Sequence, residues 1–326
     1  MAELPPELHQ VEALLMAGRQ AEAIAETQRL SLQAVPAAVM LLGQMKWGGM
    51  VAQDPVGARK LFERASDLGD PTAAVFATNL IASGVAGERD WPRALARLAQ
   101  EATKDKDRAR ALTLIEAMAL DFAGEPQALP EPEVISDQPR IRIFRQLFTP
   151  TECDYLLKVA EGLYQPSMVY NAARQLVRDP IRTSDGATLH WLVEDPAVHA
   201  LLRRIGKATG TDASQGEASQ VLRYQPGQEY KPHYDYFDPN QPGTVNIVKR
   251  GGQRVGTVVM YLNTPEQGGA TVFPDVGLDV HAVAGNAVFF AYPTPTPSTL
   301  SLHGGAPVVK GEKWVATKWM RENRFE

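Results

Sequence analysis

The chain changes its hydrophobic rhythm once, near residue 130. Before that point Ala, Leu, Arg, Glu and Gln dominate, and apolar residues recur at helical spacing, as at Val11, Leu14 and Leu15. Breaks at Gly18, Pro36, Gly48-Gly49, Gly69-Asp70-Pro71, Gly84 and Gly87 divide the region into helices of ordinary length. Two blocks repeat. Ala38-x-x-Leu41-Leu42-Gly43 leads to Gly48-Gly49, Asp54, Ala58 and Leu61-Phe62, and Ala73-Ala74 leads to Gly84, Asp90, Ala94 and Leu98. Asp54 to Asp90 and Ala58 to Ala94 each span 36 positions, and Gly49 to Gly84 spans 35. Two helices per mid-thirties period predict an α-solenoid, whose concave face would bind a partner or which would instead pack on the following domain or make a dimer. Gln20–Leu32 fits the second helix of a degenerate earlier repeat, and residues 108–122 are expected to cap the stack.

Residues 124–139 carry Pro126, Pro130, Pro132 and Pro139 and read as a connecting segment, so the division expected is 1–130 and 131–326. Beyond it the period shortens. Arg140-Ile141-Arg142-Ile143-Phe144 alternates as a strand. Thr149-Pro150-Thr151-Glu152 opens a helix with Thr149 as cap, and a second helix is expected over 195–209. Short apolar runs at 257–263, 270–274, 285–290 and 313–319, separated by turn signals, predict a β-barrel or jelly roll. The polar, Pro/Gly-rich stretch 234–252 is long enough to be a lid.

Composition narrows the class. A hydrophobic content of 44% and a net charge of −5 describe an ordinary globular protein, with no global case for nucleic-acid binding. The local run Lys249-Arg250-x-x-x-Arg254 reads as a solvated loop. The one cysteine, Cys153, excludes an intrachain disulfide, fits a small core residue, and suits a reducing compartment. The first residues lack a basic n-region and apolar core, and no run is long enough to span a bilayer, so a cytoplasmic protein with no membrane partner is expected.

The chemistry centres on His233-x-Asp235, whose side chains share one face of a strand. With His303 they have the composition of a 2-His-1-carboxylate triad, which leaves positions open on a non-heme Fe(II). Lys313 follows His303 by ten positions and would anchor the far carboxylate of a chelating co-substrate. Tyr224 and Tyr230 stand at odd separations from His233, so they share its face only through a bulge or turn. His281, His190 and His199 read as surface or sheet histidines.

Several motifs, in order, carry a resemblance: Arg182-Thr183-Ser184, Arg223 through Phe237, Gly251-Gly252-Gln253-Arg254-Val255-Gly256-Thr257, Met260-Tyr261-Leu262-Asn263, Gly268 through Pro274, His303-Gly304-Gly305-Ala306-Pro307-Val308, and Gly311 through Trp319. From about residue 137 to 325 the chain resembles the catalytic domain of the prolyl 4-hydroxylases, a branch of the Fe(II)/2-oxoglutarate dioxygenases. More weakly, the first 130 residues resemble Sel1-like or tetratricopeptide repeats. The resemblance implies a double-stranded β-helix with iron between its sheets, held by His233, Asp235 and His303. It implies 2-oxoglutarate and O2 as co-substrates, ascorbate as reductant, and release of succinate and CO2. Lys313, Tyr224 and Thr257 match positions that bind the co-substrate, and Tyr230, Trp319 and Arg182 match positions around the target proline.

The chain departs from the family at Ala306, where a cysteine is frequent, and at Ala291-Tyr292, where a tryptophan often follows the phenylalanine. These changes, with the proline-rich run from Pro293 to Pro297, are expected at the rim of the site and bear on substrate identity. Three functions therefore stand: hydroxylation of a prolyl residue in a protein or peptide, with a partner recruited by the repeats; hydroxylation of a free amino acid or small metabolite; or a repeat scaffold whose oxygenase domain is a sensor or inactive. The intact His233, Asp235, His303 and Lys313 set speaks against the last.

Overall fold

The computed structural model describes residues 5–170 and 176–325. Positions 1–4, part of the stretch where no leader was read, lie outside them. The chain divides into two compact units that interleave in sequence. One holds Met1–Ala117, Phe122–Gly124 and Trp191–His199, and the other holds Met118–Asp121, Glu125–His190 and Ala200–Glu326.

The first unit contains the helices His9–Met16, Gln20–Leu32, Pro36–Gly48, Pro55–Asp67, Pro71–Ser83, Trp91–Ala102 and Lys106–Ala117. The 36-residue period proves to be a period of helix ends. Asp54 and Asp90 are N-caps that accept from Gly57 N at 2.8 Å and Arg93 N at 3.0 Å. Gly49 and Gly84 both take the left-handed conformation that ends a helix, at φ 76°. Ala58 and Ala94 are fully buried, the small contacts that let helices approach. A Cβ on Gly43 would sit 2.6 Å from the Phe62 ring, so this crossing requires glycine. The last helix ends at Ala117, short of the expected 122, because the backbone from Leu120 turns back on Pro126 as an isolated bridge.

The segment Trp191–His199 completes this unit. Leu192 and Trp191 join the cluster around Phe62, Leu80 and Val39, and the Leu192 carbonyl accepts from Asn79 Nδ2 at 2.9 Å. His199 is not a surface histidine: it is buried, with Nδ1 2.8 Å from Glu194 Oε1. His190 and His281 are exposed. Phe62 has no exposed surface and touches Trp47 and Phe76 ring to ring. Phe62→Ala should therefore cost about 3–5 kcal/mol, read as a lowered midpoint in denaturant unfolding.

The second unit carries the site. Its large sheet is antiparallel along the order Glu133–Asp137, Arg140–Phe144, Ala287–Ala291, Arg254–Tyr261, Lys313–Arg321, Ser219–Tyr224, Asp185–Leu189, Gln165–Pro166. A smaller sheet runs Leu278–Val280, Thr271–Phe273, His303–Gly305, Tyr230–His233. From Ser219 on, the chain crosses back and forth between the two sheets, with Thr271–Phe273 and Leu278–Val280 forming a hairpin within the smaller one, as in a double-stranded β-helix. Ile141, Leu222, Tyr261, Phe273, Val288, Phe290 and Val315 fill the space between the two sheets.

Thr149 caps the helix Pro150–Ala160 in a full capping box with Glu152. The same Glu152 forms a buried two-pronged pair with Arg204 of the helix Pro196–Thr209, both contacts at 2.7 Å. The stretch 234–252 is not featureless. It contains the helix Thr244–Ile247, whose end is held by Arg321 Nη2 donating to Ile247 O at 2.9 Å and Arg250 O at 2.6 Å.

Candidate active site

Strand periodicity places the site residues. Lys313, Val315, Thr317 and Trp319 alternate along one strand, and all four face a single pocket with Leu222, Tyr224, Thr257 and Val259 from the same sheet. The small sheet contributes Tyr230, His233, Thr271 and His303, with Asp235 just past its strand end. His303 stands directly opposite His233 on the neighbouring antiparallel strand. Between that pair and Gly305↔Tyr230 the register shifts, Gly304 on one strand facing both Lys231 and Pro232 on the other. This is the bulge that an odd separation demanded. It stacks the Tyr230 ring on His233 with centroids 3.6 Å apart.

The donor set suits a metal. One ligand atom each from His233, Asp235 and His303 lies within 4.8 Å of the others. His233 Nε2 is 3.4 Å from Asp235 Oδ1, and His303 Nε2 is 3.3 Å from Asp235 Oδ2. Each ring is set by a backbone carbonyl: Nδ1–H donates to Lys231 O at 2.9 Å in His233 and to Ser301 O at 3.0 Å in His303. A carbonyl can only accept, so Nδ1 keeps the proton and Nε2 can present its lone pair. Burial works against the Asp235 charge; with no metal present and the His303 and His233 rings protonated, their charge and hydrogen bonds outweigh it and hold the carboxyl well below its ordinary range. Asp235 and His303 are buried and His233 partly so, and the three carry both kinds of donor that Fe(II) accepts.

Lys313 lies in the same pocket, 4% exposed, and no carboxylate pairs with it among the described residues. Its ammonium sits over the rings of Tyr224 and Tyr261, at 5.6 and 5.9 Å, and burial pushes its pKa down to about 8. A buried cation with ring faces beside it and no paired carboxylate among the described residues is one an anionic group could satisfy. Tyr224 pairs with Lys313 across the strands, is buried, and shares its hydroxyl with Ser184; burial pushes it up to about 12. Tyr261 and Thr271 belong to the same wall, joined by a 2.8 Å hydrogen bond, and had been given no role from the sequence.

The structure gives three of these residues neighbours that the sequence did not reveal. Thr257 was matched to the co-substrate, but its hydroxyl donates to Asp235 Oδ2 at 2.6 Å and meets Tyr292 OH at 2.7 Å. Its one proton is therefore committed to the carboxylate. Tyr292 was expected at the rim, yet it is 1% exposed and lies behind the triad. Arg254 was read as part of a solvated loop. It is partly buried, pairs with Glu217 at 2.6 and 2.8 Å, and lies over the Trp319 and Phe237 rings at 4.3 and 4.7 Å. Arg182 stands beside the pocket, over the Tyr230 ring at 5.6 Å, with Nη1 donating to Gln220 Oε1 at 3.1 Å.

Three metal donors in one pocket with a buried ammonium that no carboxylate pairs among the described residues fit a class: an iron-dependent oxygenase that takes 2-oxoglutarate as co-substrate. Comparison with known proteins agrees. Residues 219–321 match the 2OG-Fe(II) oxygenase superfamily. Prolyl 4-hydroxylase 1 of Arabidopsis thaliana is 40% identical over 209 residues, covering 59% of this chain and 72% of the relative. Probable prolyl 4-hydroxylase 10 of the same plant is 36% identical over 243 residues, 67% of this chain and 82% of the relative. The chain belongs to the prolyl 4-hydroxylase family of 2OG-Fe(II) oxygenases. Among solved structures, the viral collagen prolyl hydroxylase vCPH from Paramecium Bursaria Chlorella virus-1 is 28% identical, covering 57% of this chain and 98% of that one, with a TM-score of 0.42. A Sel1 repeat protein from Oxalobacter formigenes is also 28% identical, covering 31% of this chain and 42% of that one, with a TM-score of 0.27. No helix among the described residues is long and apolar enough to cross a membrane.

Proposed function

We propose that this chain hydroxylates C4 of a prolyl residue within a protein or peptide, with decarboxylation of 2-oxoglutarate to succinate and CO2. His233, Asp235 and His303 would hold Fe(II), which supplies the oxygen activation when bound. Lys313, with Tyr224 beside it, would bind and orient the far carboxylate of 2-oxoglutarate. Tyr230, Trp319 and Arg182 would position the substrate, and the stretch 234–252 would close over it. The observation that carries the substrate reading is the aromatic lining of the pocket. Tyr230 stacks on the flat face of the His233 ring from one sheet, and Trp319 lines the same pocket from the other, held by Arg254. Flat apolar walls at the reactive position suit a pyrrolidine ring and exclude water from it. The helical repeats would recruit the protein that bears the proline. A reducing, cytoplasmic setting is part of this reading, supported by the single cysteine, Cys153, which leaves no intrachain disulfide to form.

The test offers the purified protein, with Fe(II), 2-oxoglutarate and ascorbate, a proline-rich peptide and free proline in separate arms. The expected product is the peptide heavier by one oxygen, giving 4-hydroxyproline on hydrolysis. Turnover of free proline with the peptide untouched would replace this reading with a small-molecule oxygenase.

A further inference from the structure

A buried hydroxyl chain ends on Asp235. Asp235 Oδ2 accepts from Thr257 Oγ1 at 2.6 Å, and Thr257 Oγ1 lies 2.7 Å from Tyr292 OH. All three residues are buried, at 6%, 1% and 1% exposure. The direction of the chain follows from proton counting. An ionised carboxylate can only accept, so the single Thr257 proton points to Asp235. The Thr257 oxygen can then only accept from Tyr292, and Tyr292 must be the donor. Burial holds the Tyr292 phenol well above its ordinary range, so it keeps that proton. Neighbouring strands fix the geometry, because Thr257 stands on Arg254–Tyr261 and Tyr292 immediately follows Ala287–Ala291, its pairing partner.

We infer that Tyr292 and Thr257 form a directed relay that fixes Asp235 as a one-oxygen metal ligand. With Oδ2 tethered, the carboxylate cannot rotate to offer both oxygens. A metal held this way would keep room for a chelating co-substrate and O2. Donation from Tyr292 polarises the Thr257 hydroxyl and strengthens its hold on Oδ2. Both are positioning residues: Thr257 acts on the metal only through Asp235, and Tyr292 only through Thr257. The inference rests on the metal site proposed above.

The test is a Co(II) titration of the full chain, followed through the visible d–d bands, with no turnover involved. Thr257→Val should weaken Co(II) binding by about 10–100-fold, the range for removed outer partners of metal ligands. Tyr292→Phe keeps the ring and should weaken it by on the order of tenfold. The double variant should be no weaker than Thr257→Val alone, since the relay is in series, and Thr257→Ser should restore binding and band shape. Several results overturn the relay: unchanged affinity in Tyr292→Phe, additive losses in the double variant, or a Thr257→Val protein with intact Co(II) binding but a raised half-saturation for 2-oxoglutarate. The last would return Thr257 to the co-substrate. A wild-type protein that binds no Co(II) would remove the metal site itself, a failure visible before any variant is made.

Discussion

Alanine at His233, Asp235 or His303 should abolish 2-oxoglutarate decarboxylation, with each single change as damaging as the loss of all three. Two donors cannot hold a metal in a facial arrangement, and the remaining pair would bind it weakly and in the wrong geometry. The three substitutions should nevertheless differ in their side effects. His303 and Asp235 are buried, whereas the His233 residue is partly open and its ring carries Tyr230. His233→Ala should therefore also disturb the aromatic wall, while His303→Ala leaves a cavity against Phe290 and Phe273, whose rings lie 4.3 and 6.2 Å from it. Asp235→Ala strands the Thr257 proton. Asp235→Asn keeps the volume and an oxygen for that proton but loses the charge, so it separates lost metal binding from lost packing. Succinate formation, metal content and near-ultraviolet circular dichroism measured together decide the case. Full turnover in any one alanine variant would remove that residue from the ligand set.

The parts legible in the sequence were those whose causes lie close together in the chain. His233 and Asp235 share a face because of a two-residue spacing, and the need for a bulge at Tyr230 followed from arithmetic alone. The repeat was readable because its caps recur: aspartate at Asp54 and Asp90, glycine at Gly49 and Gly84. The misreadings have the opposite character. Thr257, Tyr292 and Asp235 are 22 and 35 positions apart, and only strand pairing reveals that one hydroxyl is spent on another group. Arg254 looked like one charge of a basic run because its carboxylate, Glu217, lies 37 positions earlier. A polar residue announces what it could bond to, but its neighbours in space decide which bond it makes. The Trp191–His199 segment shows the same limit at the level of units. Nothing in its sequence says that Leu192 packs with Phe62, more than a hundred positions away.

The second large effect belongs to Lys313. Its ammonium is buried without a carboxylate partner among the described residues, between the rings of Tyr224 and Tyr261. Removing it would leave the far carboxylate of 2-oxoglutarate buried and unpaired, a loss of roughly 3–5 kcal/mol. Lys313→Ala should therefore raise the half-saturation for 2-oxoglutarate by about 10²–10³-fold or more, with Co(II) binding intact because the triad is separate. Lys313→Arg should rescue only in part, since the larger planar guanidinium meets Gly269 and Gly305, where the lysine already packs closely. The pH dependence supplies an independent sign. Burial lowers the pKa of Lys313 to about 8, so in the free protein the ammonium is charged below that value and lost above it. Affinity for 2-oxoglutarate should hold below pH 8 and weaken as pH rises beyond it; a bound carboxylate pulls the pKa back up and delays the loss. In Lys313→Arg the guanidinium does not titrate in this range, so the alkaline weakening should flatten even though affinity is lower throughout. An unchanged half-saturation in Lys313→Ala would assign the anchor to another residue, and lost Co(II) binding in that variant would make the lysine structural.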